Sequence, residues 1–144
     1  MIGFHMKKKL FALVLVATLI LTGCGYKKPE THSMMGLNIK SITTVCGTDC
    51  TMKDIDTSST GTYAMTTYVY SDVADNKGVA DAKKYHSYLS SLKSCVKIDE
   101  FDEKKGSYTA RFKVADNIKE GFLMKISFSK DSYSVHIEDN ASLK

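Results

Sequence analysis

The sequence predicts an α+β fold, one helix packed on an antiparallel β-meander, and three observations lead there. Ala82, Tyr85, Leu89, Leu92 and Val96 recur at alternate steps of three and four, which lays an apolar stripe along a helix, with Tyr88 beside it. Beyond the stripe the apolar period switches to two, as in Tyr108, Ala110, Phe112 and Val114. The runs of period two are joined by short polar stretches, which favours pairing of sequential antiparallel strands.

The chain of 144 residues opens on a leader. Lys7, Lys8 and Lys9 give it a positive start, and Leu10 to Leu21 is apolar apart from Thr18. Met6, directly before the lysines, is a second candidate start beside Met1. A helix of about twelve residues rises roughly 18 Å, short of the roughly 30 Å of a bilayer core, so a removable signal is expected rather than a permanent span. The run ends in Leu21-Thr22-Gly23-Cys24. This tetrad resembles the lipobox of bacterial lipoproteins. The resemblance implies that the Cys24 thiol receives a diacylglyceryl group and that cleavage falls just before it. Residues 1–23 are then a signal peptide, and Cys24 anchors the remainder to the extracytoplasmic face of the cell membrane.

Removing residues 1–23 from 144 leaves 121, enough for one core and too few for two substrate-capturing lobes. The net charge of +4 shrinks as well. Three of the 20 basic residues lie in the leader and none of the 16 acidic ones does, which leaves 17 against 16. Such a balance gives no electrostatic reason to expect nucleic acid. Trp is absent and Tyr numbers 8, in keeping with a strand-rich domain.

Residues 24–36 hold the lipidated Cys and a stretch without sustained period that contains the only Pro, and they read as a tether. A single domain is expected over 37–144. Leu37, Ile39 and Ser41 alternate and Ile42 to Val45 is β-branched throughout, an extended pattern that Cys46-Gly47-Thr48-Asp49-Cys50 interrupts. Thr57 to Gly61 reads as a second loop and Thr62 to Tyr70 as a strong strand. Asp72 to Gly78 is loop, with Asp75 or Asn76 a helix N-cap candidate. After the helix, Val96 and Ile98 open a strand and Asp102 to Gly106 turns it back. Asn117 to Gly121 turns again into Phe122, Met124, Ile126 and Phe128, and Ser129 to Ser132 leads to Tyr133, Val135 and Ile137. Strand, helix, then a four-stranded meander is similar to the arrangement of cystatin-like folds, a likeness of topology that does not fix function. Tyr68-Val69-Tyr70, the helical Tyr85-His86-Ser87-Tyr88-Leu89 and the closing Ser132-Tyr-Ser-Val-His-Ile137 also resemble uncharacterised Gram-positive lipoprotein domains. That resemblance implies a fold and no activity.

With Cys24 acylated, Cys46, Cys50 and Cys95 remain, an odd number for an oxidising compartment. The turn-forming residues between Cys46 and Cys50 suggest a disulfide closing a tight hairpin, with Cys95 a buried free thiol. Pairing of Cys95 with either one, a zinc site completed by Cys95 or His86, and thiol redox chemistry stay open. No cofactor is indicated, and no Ser/His/Asp order or Gly-rich phosphate loop carries a recognisable motif. His86 lies just off the helical stripe, and His136 alternates with core-facing neighbours, so both read as surface residues. Tyr68 and Tyr70 share one strand face. If Met65 and Val69 point to the helix, the two rings form an exposed interaction surface; otherwise they pack under the N-terminal segment. The expectation is a membrane-tethered binding module for a cell-surface protein or small ligand, with a small enzyme in a cystatin-like cone as the alternative.

Overall fold

A computed structural model describes residues 26–34, 36–60, 63–114 and 117–142. The expected signal peptide, residues 1–23, and Cys24 lie outside the described residues. Among the described residues no helix is long and apolar enough to cross a membrane. The chain runs β1 (Thr31–Met34), β2 (Leu37–Lys40), α1 (Ile42–Cys46), β3 (Thr51–Thr60), β4 (Tyr63–Ser71), a 3₁₀ turn (Ala74–Asn76), α2 (Gly78–Ser91), β5 (Cys95–Ile98), β6 (Ser107–Val114), β7 (Asn117–Phe128) and β8 (Tyr133–Ser142).

The fold is α+β, with a six-stranded antiparallel sheet in the order β3-β4-β8-β7-β6-β5 and a separate β1-β2 hairpin. The expected meander is β5 to β8, and its last strand inserts between β7 and β4. Alternation in the meander decides which side is buried. Tyr108, Ala110 and Phe112 of β6, Phe122, Met124 and Ile126 of β7, and Tyr133, Val135 and Ile137 of β8 all point to one face and are buried. Helix α2 lies on that face with Ala82, Tyr85 and Leu89 each fully buried. Each large apolar side chain among them, such as Leu89, Phe112 or Ile126, contributes roughly 1.5–3 kcal/mol by leaving water.

The helical stripe ends earlier than its spacing suggests. Leu92 is the C-cap residue in extended conformation and is half-buried. Val96 belongs to β5 and is 46 % exposed. The start is capped without a side chain. Asp75 and Asn76, the expected N-cap candidates, sit at φ 56° and 53° inside the 3₁₀ turn instead. Lys77 precedes the helix, and Gly78 N–H donates to Lys130 O of the β7–β8 loop at 2.9 Å. A Cβ at Gly78 would lie 1.9 Å from Ser129 O, so only glycine permits this close approach.

The N-terminal third departs most from expectation. Thr31–Met34, placed in the tether, pairs with Leu37–Lys40 as a hairpin, and His32 is buried with 2 % exposure. Pro29 is buried as well, and Tyr26 packs against the core. Ile42–Cys46 is a helical turn rather than a strand, despite its β-branched residues. Ser41 Oγ accepts from Thr44 N at 3.2 Å, and Gly47 at φ 67° donates its N–H to Thr43 O. Both ends are thus capped, and burial of Ile42 adds to what strand propensity opposes. Thr57 to Thr60 continues the β3–β4 ladder rather than looping, and Asn117 to Gly121 is already β7.

Candidate functional site

Tyr68 and Tyr70 do not form an exposed pair. The helix side of β4 is the side they occupy, and they are 3 % and 0 % exposed. The Tyr68 ring packs against His32 at 4.8 Å, and Tyr70 packs against Tyr133 at 5.4 Å. Of the two placements, packing under the N-terminal segment is the one the β1–β2 hairpin produces. Burial pushes the Tyr68 phenol up to about 12 and Tyr70 higher still.

Cys46 and Cys50 are free thiols, so the hairpin disulfide is not present. The reason is local: Cys46 ends a helical turn instead of a strand, and the two residues never face each other across a ladder. Cys46 Sγ donates to Asp81 O at 3.4 Å, while Cys50 Sγ accepts from Tyr133 OH at 3.8 Å. Burial, then the nearby Asp81 charge, pushes the Cys46 thiol up to about 12, and burial raises Cys50. Cys95 is also free, half-buried on β5 rather than fully buried, and raised by burial. None of the three is tuned toward the thiolate that redox or metal chemistry needs. Among the described residues no group of three His, Cys, Asp or Glu is placed to hold a metal ion.

The polar chemistry gathers on the other side of the sheet. The pairing register sets out a row from Asp56 on β3 through Thr67 on β4 and His136 on β8 to Lys125 on β7. In its middle, Thr67 Oγ1 lies 2.7 Å from His136 Nδ1, and His136 Nε2 lies 2.7 Å from Glu138 Oε1. His136 and Glu138 are 24 % and 26 % exposed at their side chains, so the imidazole is reachable and yet held at both nitrogens. Charge is divided along the same face. Asp54 and Asp56 lie on the β3 edge, and Lys97, Arg111, Lys113 and Lys125 lie on β5, β6 and β7. Half-buried Met65, Val69 and Leu123 fill the space between them.

A second feature is an open groove of about 690 Å³ beside the β5–β6 turn, lined by Lys83, residues 99–103 and Lys105. Its carboxylates are partly committed to the turn. Asp99 Oδ2 accepts from Thr109 N at 3.0 Å, and Asp102 Oδ1 accepts from Lys104 N at 3.0 Å. His86 is half-buried behind Asp99 rather than on an open surface. Its Nε2 lies 2.7 Å from Asp99 O, and its ring meets Tyr108 edge-on at 4.8 Å.

Spacing alone does not reveal the Thr67–His136 contact, because 69 residues separate the two. Only the pairing of β4 with β8 brings them together. Compared with known proteins, the chain matches no family model, no curated sequence and no solved structure.

Proposed function

We propose that the chain is a lipid-anchored extracytoplasmic binding module whose working surface is the outer face of the six-stranded sheet. The leader and the lipobox-like tetrad supply the address, with Cys24 as the acylated residue. The observation that carries the binding role is the Thr67–His136–Glu138 row. A half-exposed imidazole is fixed at both nitrogens between carboxylate and hydroxyl, and charges of opposite sign flank it. Fixed polar groups among modest apolar area suit a protein or small-ligand surface, because little side-chain freedom remains to be lost on contact.

Hydroxyl, imidazole and carboxylate in line are also the skeleton of a nucleophile with its base and orienting group, which keeps a small enzyme as the second reading. The sheet face disfavours it. Ladder N–H groups lie in the plane of the sheet and are used in pairing, so they do not point at an oxyanion above the threonine.

Site-specific photo-crosslinking in intact cells tests the proposal, with the crosslinker at Lys125 or Ser58 on the outer face and at Ser87 on the wet side of α2. Adducts are expected at the outer-face positions and are expected to weaken with His136→Ala. Adducts only at Ser87 would overturn the assignment of the surface.

A further inference from the structure

We infer that the end of the domain formed by the α1–β3, β4–α2 and β7–β8 loops is seated on the surface of the bilayer that holds the acyl chains. The inference rests on the proposed acylation of Cys24 and adds an orientation to it. Little free chain separates that residue from the folded domain. Lys28 Nζ donates to Cys50 O at 3.0 Å, Pro29 is buried, and Glu30 O accepts from Ser41 N at 2.9 Å and Thr44 Oγ1 at 2.7 Å. From Cys24 to Lys28 is four residues, so the chain reaches about 14 Å at full extension. Tyr26, which packs against the core, shortens even that.

The attachment point is bonded rigidly to one end of the sheet. Asp49, next to Cys50, accepts from Ala74 N at 2.9 Å; Val73 N donates to Asp131 O at 3.0 Å, and Gly78 N to Lys130 O at 2.9 Å. The three loops therefore form one platform, and the docked segment leaves from it. Helix α2 begins at this platform and runs 14 residues away, a rise of roughly 21 Å. With the platform seated, Lys93 at the far end stands off the surface. The exposed charges of the platform mix both signs, Lys77 and Lys130 among Asp49, Asp75 and Asp131. Electrostatic adhesion is consequently not what seats it; the short covalent leash is. In this pose the outer sheet face stands upright beside the membrane and stays open to a partner.

The absence of Trp makes the test clean. Full-length protein processed in a bacterial host is reconstituted into phosphatidylcholine–phosphatidylglycerol vesicles containing lipids brominated near the headgroup. Lys130→Trp reports the platform and Lys93→Trp the far end, both at exposed positions. Emission from residue 130 should be quenched severalfold more than from residue 93, and a long Gly/Ser insertion between Gly25 and Tyr26 should erase the difference. Equal quenching, or stronger quenching at 93, overturns the orientation. Labelled fatty acid is followed in the same preparations, with Cys24→Ser as control. Uptake of label with equal quenching sinks the orientation alone, whereas no uptake by the wild type sinks the lipoprotein reading itself.

Discussion

One side of the sheet is covered by two lids of different quality. Over β6 and β7 lies α2, where the tyrosine hydroxyls that go under are matched, while Asp81 Oδ2 has no hydrogen-bond partner. Tyr108 OH donates to Ala82 O at 2.8 Å, and Tyr85 OH donates to Lys40 O at 2.8 Å. Over β4 lies the N-terminal lid of β1, β2 and α1, and it leaves polar atoms stranded. His32 has no hydrogen-bond partner at either nitrogen, and neither does Tyr70 OH on β4. An unmet buried donor or acceptor costs about 1–3 kcal/mol, so one such atom weighs on the helix lid and three on the N-terminal lid and the strand under it. The helix lid is a source of stability, and the N-terminal lid is where stability depends on conditions.

The largest expected effect is on the helix lid. Leu89→Ala removes a side chain with no exposure and should cost roughly 2–5 kcal/mol in urea denaturation. Leu92→Ala, at the half-buried cap, should cost clearly less, and equal losses would mean that the lid extends beyond Ser91.

Acid should act on the other lid. Burial lowers His32 from the ordinary histidine value of 6.5 to about 4. The unfolded chain therefore takes up this proton first. The stabilising effect of neutral His32 is complete above about pH 6.5 and is lost as the pH falls toward 4, a total of roughly 3 kcal/mol. His32→Leu should flatten that part of the profile. If wild type and variant lose stability in parallel between pH 6.5 and 4, the dependence comes from other groups.

At neutral pH the same variant should be more stable by roughly 1–2 kcal/mol, because it deletes two orphaned nitrogens and keeps an apolar body against Tyr68. A loss would show that the imidazole is matched in solution. The smallest contrast is between two tyrosines. Tyr108→Phe should cost about 1 kcal/mol, and Tyr70→Phe should cost nothing or add slightly to stability. A reversed order of the two melting points would contradict the inequality of the lids.

The same division explains what the sequence made legible. The meander could be read because each strand is long enough to show period two and its inner positions are large and apolar, as in Tyr108 to Phe112 and Phe122 to Ile126. The N-terminal lid could not. Four residues, Thr31–Met34, are too few for a period, and His32 looks like a solvent residue until Tyr68 is found beneath it. Ser41 and Gly47 carry legible capping signals, but the four β-branched residues between them outweigh these in any propensity reading. Alternation puts the two tyrosines of β4 on one face, but which side that face takes requires knowing what covers it. The outer row had no local signal, since Thr67 and His136 become neighbours only through strand register.

The insertion of β8 between β4 and β7 bears on the order in which the molecule assembles. Neither the β3–β4 hairpin nor the β5–β7 sheet has its final neighbour until β8 arrives, and the ladder it completes joins residues 69 apart. A chain emerging N-terminus first would hold two half-sheets with open inner edges until β8 is released. Closure is then a late, non-local event of the kind that slows folding. Truncating β8 should leave one chain with two unpaired half-sheets rather than a smaller domain.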